Sequence, residues 1–370
     1  MIIFGYKFSQ LPGFHYLCRK QDAPRKTGNK FPFSPGFHYL CRWIEGNWAI
    51  FACKLARLLS PFTIFAEVKL IIFPDTTDEN HTFFPAGVVH TAGDLHQMFD
   101  AIARFGFDYA VNEEFAPQIE RLTGISIDAA HRYGRPMGPQ PAESVLVCYG
   151  GDGTLLDGIH RLGGAEIPVI GINSGHLGFL TSVPRNGCIG DVFELIAAGK
   201  LECQPRSMLE VTGDFGDGIS TRYAVNEVVI QRQGAGMISV ETYVNDQMVA
   251  TYHGDGLIVS TPTGSTAYSL SVGGPVVAPQ CACLVLSPVA PHNLTMRPIV
   301  IPSSSDVRLK VHARHAEISI ATDNETCPIP EGAEFRVRLA SRRFFLAVPH
   351  NISFYDTLRK KMMWGVDIRS

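Results

Sequence analysis

The chain has 370 residues, a length that predicts two to three domains at roughly 150 residues each. Apolar residues make up 45% and charged residues 18%, which excludes a disordered chain and supplies enough apolar surface for two cores. The net charge is −3 at pH 7, so no overall field steers the chain to nucleic acid or to an anionic membrane, and we expect neither as a partner.

Nine cysteines are scattered along the chain without a CxxC pair. Cys281 and Cys283 stand close together but have no second pair at zinc-site spacing, so we expect small buried side chains in a reducing compartment. The best candidate for a membrane span, residues 48–66, is interrupted by two basic residues and a proline. The residues after Met1 lack the pattern of a secretory signal. Together these features predict a cytoplasmic protein.

Residues 1–67 differ from the rest of the chain. They hold 14 of the 37 aromatic residues, and residues 12–19 recur verbatim as residues 35–42. One repeat does not make a solenoid, which needs three or more stacked units. We predict an atypical, poorly ordered extension, with the working protein beginning near Val68, and a basic aromatic arm for nucleic acid is the alternative. An intact mass of the native protein that included residues 1–67 would refute this start.

From Val68 onward, apolar runs of strand length alternate with stretches of helical spacing. Strand–helix–strand at this spacing predicts parallel strands with right-handed crossovers, and hence an α/β domain over residues 68–205. Gly199 is placed to cap the last helix. The predicted strands are residues 68–73, 107–111, 144–149 and 167–172, and the predicted helices are residues 92–105, a stretch from the glycine-rich turn to 162, and 191–199.

After residue 205 short strand-like runs follow one another with turns between them, which predicts a β-rich domain over residues 206–348. A helix is predicted at residues 354–363, within a C-terminal segment 349–370. The fold class is therefore a parallel-sheet α/β domain followed by a β-rich domain. The predicted strands are residues 208–212, 222–231, 238–244, 247–251, 256–260, 307–311, 317–321, 334–339 and 344–348.

The strongest motif is Gly-Gly-Asp-Gly-Thr at residues 150–154, which follows an apolar strand and precedes a helical stretch. Glycines let backbone N–H groups approach phosphate oxygens, and the following helix directs its positive end at them. Asp152 would stand at the carboxyl end of a strand, where open α/β sheets bind ligands. The P-loop and the dinucleotide GxGxxG are both absent, so those classes are disfavoured. Taken alone, the segment also fits an ordinary turn.

A second glycine-rich turn, residues 171–180, reads Gly-Ile-Asn-Ser-Gly-His-Leu-Gly-Phe-Leu and ends the next strand. Because both turns end successive strands, we expect them to line one crevice. Two alternatives stay open for its ring side chains. His176 is a polar loop residue or a catalyst, and Phe179 is core or a lid that packs on a ring.

Two downstream segments suit a nucleoside. Asn226 and Glu227 precede an apolar strand and fit a base edge and a ribose hydroxyl, although a turn asparagine with a solvated glutamate also explains them. Residues 253–256 (His-Gly-Asp-Gly) come next, followed at 260–271 by Ser-Thr-Pro-Thr-Gly-Ser-Thr-Ala-Tyr-Ser-Leu-Ser. This tract offers many hydrogen bonds to phosphate and sugar oxygens without adding charge, and a plain Ser/Thr loop is the alternative.

In this order, the motifs resemble the NAD kinase family over roughly Val68 to the C-terminus. The resemblance implies ATP-dependent phosphorylation of the 2′-hydroxyl on the adenosine ribose of NAD, giving NADP, with Mg²⁺ as the metal. It also implies an α/β and a β-rich domain, a terminal helix packed back on the first domain, and a homodimer or homotetramer. The segments that carry it are residues 150–154, 171–180, 226–227, 255–268, 291–292 and 297–298.

The resemblance assigns roles residue by residue. Asp152 matches the family's catalytic aspartate, and the metal ligands stay unidentified. At residues 323–325 this chain reads Asp-Asn-Glu where the family more often has Asp, a small residue and Gln, so Glu325 matches a binding position weakly. The residues expected to bind the dinucleotide are Asp152, Gly153, Asn226, Glu227, His253, Asp255, Thr266, Ala267, Tyr268, Ser269, Leu270 and Ser271.

Asp152 is expected to orient the ribose hydroxyl and accept its proton late, while Mg²⁺ and glycine-loop N–H groups hold the triphosphate. One rival is a lipid or sugar kinase that shares the first motif but lacks the tract at residues 260–268. Another is a catalytically silent NAD(P)-binding regulator, which an intact Asp152 disfavours. The sequence leaves open the preference for NAD or NADH and for ATP or polyphosphate.

Overall fold

The structure is a computed structural model of the chain, and it divides into two compact units, Met1–Thr63 and Ile64–Ser370. In the first unit, strands Ile2–Ile3 and Tyr6–Lys7 pair antiparallel. The predicted extension and its repeat otherwise lie outside the described residues. The structure describes residues 2–3, 6–7, 69–74, 85–134, 143–175, 178–181, 183, 189–313, 316–350 and 352–365.

Five parallel strands form the first part of the second unit. In chain order they are β1 (Lys69–Pro74), β2 (Asp108–Asn112), β3 (Arg132–Tyr133), β4 (Val145–Gly150) and β5 (Pro168–Asn173). Their order in the sheet is β3-β2-β1-β4-β5. The order reverses between β1 and β4, and at such a point the loops diverge and leave a crevice at the carboxyl ends of the strands. The predicted parallel α/β arrangement is confirmed.

The described residues of this part form four helices that cover the sheet: α1 (Pro85–Phe105), α2 (Ala116–Thr123), α3 (Asp152–Arg161) and α4 (Ile189–Ala197). Residues of α1, α2 and α4 share one apolar core with the strands, and residues of α3 share a second core with side chains of the alternate strand positions. α4 ends as predicted, because Gly199 has φ +61° and its N–H donates to Ile196 O at 3.0 Å. A left-handed residue at this place is what glycine supplies most readily.

In the β-rich part, the residues that the structure describes form twelve strands and two further α-helices. The helices are α5 (Tyr268–Ser271) and α6 (Phe354–Met362). The strands are β6 (Leu201–Gly213), β7 (Thr221–Ala224), β8 (Glu227–Gln233), β9 (Ile238–Val244), β10 (Gln247–Gly254), β11 (Gly256–Ser260), β12 (Cys283–Val289), β13 (Ile299–Pro302), β14 (Val307–Ala313), β15 (Glu317–Thr322), β16 (Glu325–Ile329) and β17 (Glu334–Pro349).

The strands of the β-rich part form two sheets around one apolar core. Six antiparallel strands make a sheet in the order β13-β12-β11-β8-β15-β16. The other sheet runs β10-β9-β14-β17 and continues through β5 into the parallel strands. Side chains of both sheets meet in the core, and β9 and β14 alternate buried and half-buried positions as half-covered strands do.

β17 connects the two parts of this unit. Its first half pairs antiparallel with β14, and Phe345 and Leu346 in its second half pair parallel with β5. We expected two separate strands at residues 334–339 and 344–348, and that expectation is wrong. The structure has one continuous strand here, with an irregular pairing register between Leu339 and Arg343. The boundary at residue 205 between two domains stays a prediction.

The predicted strand at residues 222–231 is interrupted in the structure. β7 ends at Ala224 and β8 starts at Glu227, because the backbone N–H groups between them turn toward Asp323. The strands β12, β13 and β16 were not predicted. Among the described residues, no helix is both long enough and apolar enough to cross a bilayer.

Candidate active site

The carboxylate of Asp152 stands at the carboxyl end of β4, at the first position of helix α3. Gly151 is the residue before the helix, in extended conformation, and Leu155 N donates to its carbonyl at 3.3 Å. An acidic side chain in a first helical turn is favoured by the positive end of the helix dipole. The glycine-rich turn therefore positions Asp152 as the sequence predicts, at the carboxyl end of a parallel strand.

Four donors from the second glycine-rich turn hold the Asp152 carboxylate. Oδ1 accepts from Leu180 N at 3.1 Å, from Thr181 N at 2.9 Å and from Thr181 Oγ1 at 2.9 Å. Oδ2 accepts from Phe179 N at 2.8 Å. An ionised carboxylate has about four lone-pair sites on its two oxygens, so Oδ1 is saturated and Oδ2 retains capacity for one more donor. The two turns line one crevice, as predicted.

Gly178 is the residue that lets this carboxylate fit. A Cβ built at this position would overlap Asp152 Oδ1 and Thr181 Oγ1. At Gly175, three residues earlier in the same turn, a Cβ would meet open space. Position 178 therefore requires glycine for steric reasons, whereas position 175 does not. His176, between them, lies outside the described residues, so its role stays a prediction.

The C-terminal helix α6 lies beside this carboxylate. The ring centroids of Phe354 and Phe179 are 6.1 Å apart. Lys361 Nζ lies 3.8 Å from Asp152 Oδ2 and 4.8 Å from the Phe179 ring centroid. Lys361 was not among the predicted site residues, because the sequence of a basic last helical turn does not indicate what its lysines contact.

Asn226 and Glu227 form a turn that is organised by one buried carboxylate, that of Asp323. Its side chain has no solvent exposure and accepts from Val225 N at 2.7 Å, Asn226 N at 2.8 Å and Glu227 N at 3.2 Å. Asp323 has φ +52°, a left-handed conformation that aspartate tolerates better than most residues. The β15–β16 turn thereby fixes the backbone of the predicted Asn-Glu pair.

The same turn also contacts helix α3. His160 Nε2 lies 2.9 Å from Asp323 Oδ2, and Asn324 Nδ2 donates to Gly153 O at 3.2 Å. Burial by itself lowers the pKa of the His160 imidazole, but the hydrogen bond and charge of Asp323 outweigh it, and the pKa is raised. The structure therefore joins the Asp152 segment to the Asn226–Glu227 segment through residues 323–324. The sequence carried no signal for the His160–Asp323 pair, whose members are 163 residues apart.

Glu227 is buried and short of hydrogen-bond donors. Burial raises the pKa of its carboxyl to about 8, the negative charge of Asp323 adds to the shift, and the Tyr268 backbone N–H opposes it. Oε2 has no hydrogen-bond partner among the described residues. A buried carboxyl oxygen without a hydrogen-bond partner costs free energy in the folded protein, so this oxygen is suited to a hydrogen bond with a ligand. The solvated glutamate considered for this position is not what the structure contains.

The hydroxyl-rich tract follows β11 and folds back on the Asn226 turn. Thr261 N donates to Asn226 O at 2.9 Å, and a Cβ at Gly264 would overlap the same carbonyl oxygen. A narrow, solvent-open cleft separates the tract from the second glycine-rich turn and the C-terminal segment. Its lining includes Phe179, Leu180, Arg206, Thr263, Thr266 and Phe354.

The other predicted residues of the tract have varied surroundings. Ala267 precedes α5 and is half-buried, as is Leu270, while Tyr268 and Ser271 are exposed. Ser269 is fully buried, and its Oγ lies 2.9 Å from Ser287 Oγ, so that hydroxyl is already engaged inside the protein.

Asp255 lies at the end of the β8–β11 pair opposite to Glu227, and His253 precedes it by two residues. In the β8–β11 pair Glu227 faces Ser260, whereas Gly256, next to Asp255, faces Gln231. Four residues of strand separate the two ends by roughly 13 Å. Asp255 Oδ1 lies 2.7 Å from Arg232 Nε, and His253 is exposed at the end of β10. Their binding roles stay predictions. Glu325, the weakly matching position, is exposed and lies 3.7 Å from Arg222.

The comparisons with known proteins agree with this architecture. The ATP-NAD kinase N-terminal domain model matches residues 104–200, and the ATP-NAD kinase C-terminal domain model matches residues 225–349. A NAD kinase of Porphyromonas gingivalis is 41% identical over 227 residues, which are 60% of this chain and 77% of that protein. The chain belongs to the NAD kinase family. Another relative, the NAD kinase of Christiangramia forsetii, is 34% identical over 291 residues, 78% of this chain and 97% of that protein.

Two solved structures share the NAD kinase fold of this chain at 21% sequence identity. Yeast NADH kinase, crystallised with NADH, superposes with a TM-score of 0.65 over 81% of this chain and 89% of its own. An NAD kinase from Archaeoglobus fulgidus, in complex with ATP, superposes with a TM-score of 0.57 over 80% of this chain and 98% of its own. The two-part fold predicted from the sequence is confirmed.

Proposed function

We propose that this NAD kinase family member transfers the γ-phosphoryl group of ATP to the 2′-hydroxyl of the adenosine ribose of NAD and so makes NADP. The observation that carries the proposal is the Asp152 carboxylate, held by four donors on one side with Oδ2 able to accept one more. A substrate hydroxyl is the donor that phosphoryl transfer requires at this place.

The chemistry needs little beyond positioning and charge. In the transfer, a bond forms between the ribose 2′-oxygen and the γ-phosphorus, and the bond from that phosphorus to the β–γ bridging oxygen breaks. The hydroxyl proton passes to Asp152 Oδ2, and the electron pair of the broken bond leaves with ADP. Because the transition state is loose, the proton moves late, and a carboxylate is a sufficient acceptor.

The adenosine half of NAD is held at the Asn226–Glu227 turn in this proposal. Glu227 Oε2 has no hydrogen-bond partner among the described residues and would accept from a nucleoside hydroxyl or amine. The cleft lined by Phe179 and Thr266 adjoins the Asp152 turn, and in this proposal the adenine ring lies on that side of the site. Binding roles for Gly153, His253, Asp255 and residues 266–271 belong to this proposal.

A divalent metal at this site would depend on the bound nucleotide. Among the described residues there is no cluster of three or more His, Cys, Asp or Glu side chains that would form a protein-only metal cage. Asp152 and Asp157, the carboxylates of α3, are five residues apart and do not share a helix face, so in this proposal substrate phosphates and water would hold Mg²⁺. When bound, Mg²⁺ would neutralise triphosphate charge. A cytoplasmic location and a homodimer or homotetramer are likewise parts of the proposal.

The test is a coupled assay for NADP formation by the full chain with NAD, ATP and Mg²⁺. We expect turnover with NAD, and parallel reactions with NADH and with polyphosphate determine the preferred acceptor and donor. Binding of NAD without ATP consumption would favour the silent regulator instead. Turnover of a sugar or lipid acceptor without NADP formation would favour the other kinases that share the Gly-Gly-Asp-Gly motif.

A further inference from the structure

Helix α6 is anchored next to the candidate active site by capping and packing. Ser353 Oγ accepts a backbone N–H of the first turn at 3.1 Å, a typical N-cap. Thr357 and Leu358 are buried, and Phe354 packs on Phe179. These contacts fix the helix without any contribution from the charges of its last turn.

The last turn of α6 carries an ammonium group to the proposed proton acceptor. Lys361 lies seven residues after Phe354, so both project from the same helix face. Its Nζ is 3.8 Å from Asp152 Oδ2 and lies over the Phe179 ring. Lys360, the next residue back, projects elsewhere and is exposed.

This ion pair does little for the stability of the folded chain. A distance of 3.8 Å exceeds that of a hydrogen bond, and the carboxylate already has four donors. The Lys361 side chain is 37% exposed, and pairs of this exposure contribute about 0–1 kcal/mol. Among the described residues, Lys361 has no other carboxylate within ion-pair distance. The position of the ammonium is therefore better explained by an anion that is bound during the reaction.

We propose that Lys361 binds the terminal phosphate of the nucleotide donor. The inference rests on the proposed function. A phosphate brought close to Asp152 meets a second negative charge, and the ammonium beside both groups offsets that repulsion. During transfer the Lys361 ammonium donates hydrogen bonds to the oxygens of the migrating phosphoryl group, while Asp152 Oδ2 takes the hydroxyl proton. The C-terminal helix thereby completes a site built mainly from two glycine-rich turns.

The test compares three full-length variants with the wild-type chain. Lys361→Met keeps the aliphatic stem and removes the charge, Lys361→Arg keeps a charge, and Lys360→Met is the matched control on the same helix. For Lys361→Met we expect kcat to fall about 100-fold, the scale for losing one donor to transition-state charge. We expect its KM for NAD to stay within about threefold and its Tm within about 2 °C, as for an exposed ion pair. The control keeps wild-type kinetics.

A structural role would give a different pattern. If Lys361→Met keeps kcat within about threefold of wild type, the proposal is wrong. It is also wrong if kcat falls but neither arginine at this position nor added ethylammonium restores any of it. The proposed function is tested separately, because it is wrong only if the wild-type chain makes no NADP from NAD and ATP.

Discussion

The turn that carries Asp152 and the turn that carries Glu227 use their carboxylates in opposite ways. Asp152 is partly exposed and accepts four hydrogen bonds. Glu227 is buried, and its Oε2 has no hydrogen-bond partner among the described residues. A carboxylate surrounded by donors is fixed in place, which suits a group that must orient a hydroxyl. A buried carboxylate short of donors costs stability and suits a group that waits for a ligand.

The largest effect is expected from the first of these carboxylates. Asp152→Asn keeps the size of the side chain but removes the proton acceptor, and its amide N–H₂ would oppose one of the backbone donors. We expect turnover with saturating ATP and NAD to fall at least about 100-fold, the scale of general-base contributions. The coupled NADP assay measures it. Near-normal turnover in this variant would remove Asp152 from the chemistry.

The next prediction tests whether the position of Asp152 is as important as its charge. Gly178→Ala places a Cβ on Asp152 Oδ1, so the carboxylate must move, and we expect kcat to fall by about 10- to 100-fold. Gly175→Ala, in the same turn, places its Cβ in open space and should stay within about threefold of wild type. Equal kinetics for the two alanine variants would show that the turn tolerates a displaced carboxylate.

The two glycine-rich turns are the part of the site that the sequence predicts best. Residues 150–154 and 171–180 were expected to line one crevice because each ends a parallel strand, and chain order suffices for that argument. The pairing of His160 with Asp323, and of Lys361 with Asp152, depends on how distant segments pack, and a single sequence has no period or spacing that encodes it. The continuous strand β17 was predicted as two strands, because the segment from Leu339 to Arg343, where the pairing register is irregular, resembles a turn.

The third prediction concerns Asp323, the residue that holds the Glu227 turn in place. Asp323→Asn removes the charge that three backbone N–H groups and His160 share, and we expect a loss of about 2–4 kcal/mol of stability. We also expect KM for NAD to rise about tenfold while kcat changes less, because the disturbed residues bind rather than react. Thermal unfolding and steady-state kinetics measure the two effects.

The control for this variant is Asp246→Asn. Asp246 also has positive φ at a hairpin turn, +62°, but its side chain is 79% exposed. Asparagine tolerates the left-handed conformation at both sites, so backbone strain is matched. A loss of stability at Asp246 as large as that at Asp323 would mean that the turn conformation, and not the buried hydrogen bonds, is responsible.

The smallest effect on turnover is expected from Glu227, whose buried carboxyl makes the stability of the fold depend on pH. Its folded-state pKa is about 8, above the ordinary value of 4.5, so the folded chain keeps a proton that the unfolded chain loses between these values. Stability must then fall as pH rises from about 4.5 to 8, by up to about 4 kcal/mol. Glu227→Gln removes this pH-dependent loss of stability. Its Tm relative to wild type should therefore increase by several degrees from pH 5 to pH 8 and then level off. Its KM for NAD should also rise. The control is Glu166→Gln, at an exposed loop position, whose Tm difference from wild type should stay constant over the same pH range. If the Tm difference between Glu227→Gln and wild type were also constant, Glu227 would be ionised in the folded chain.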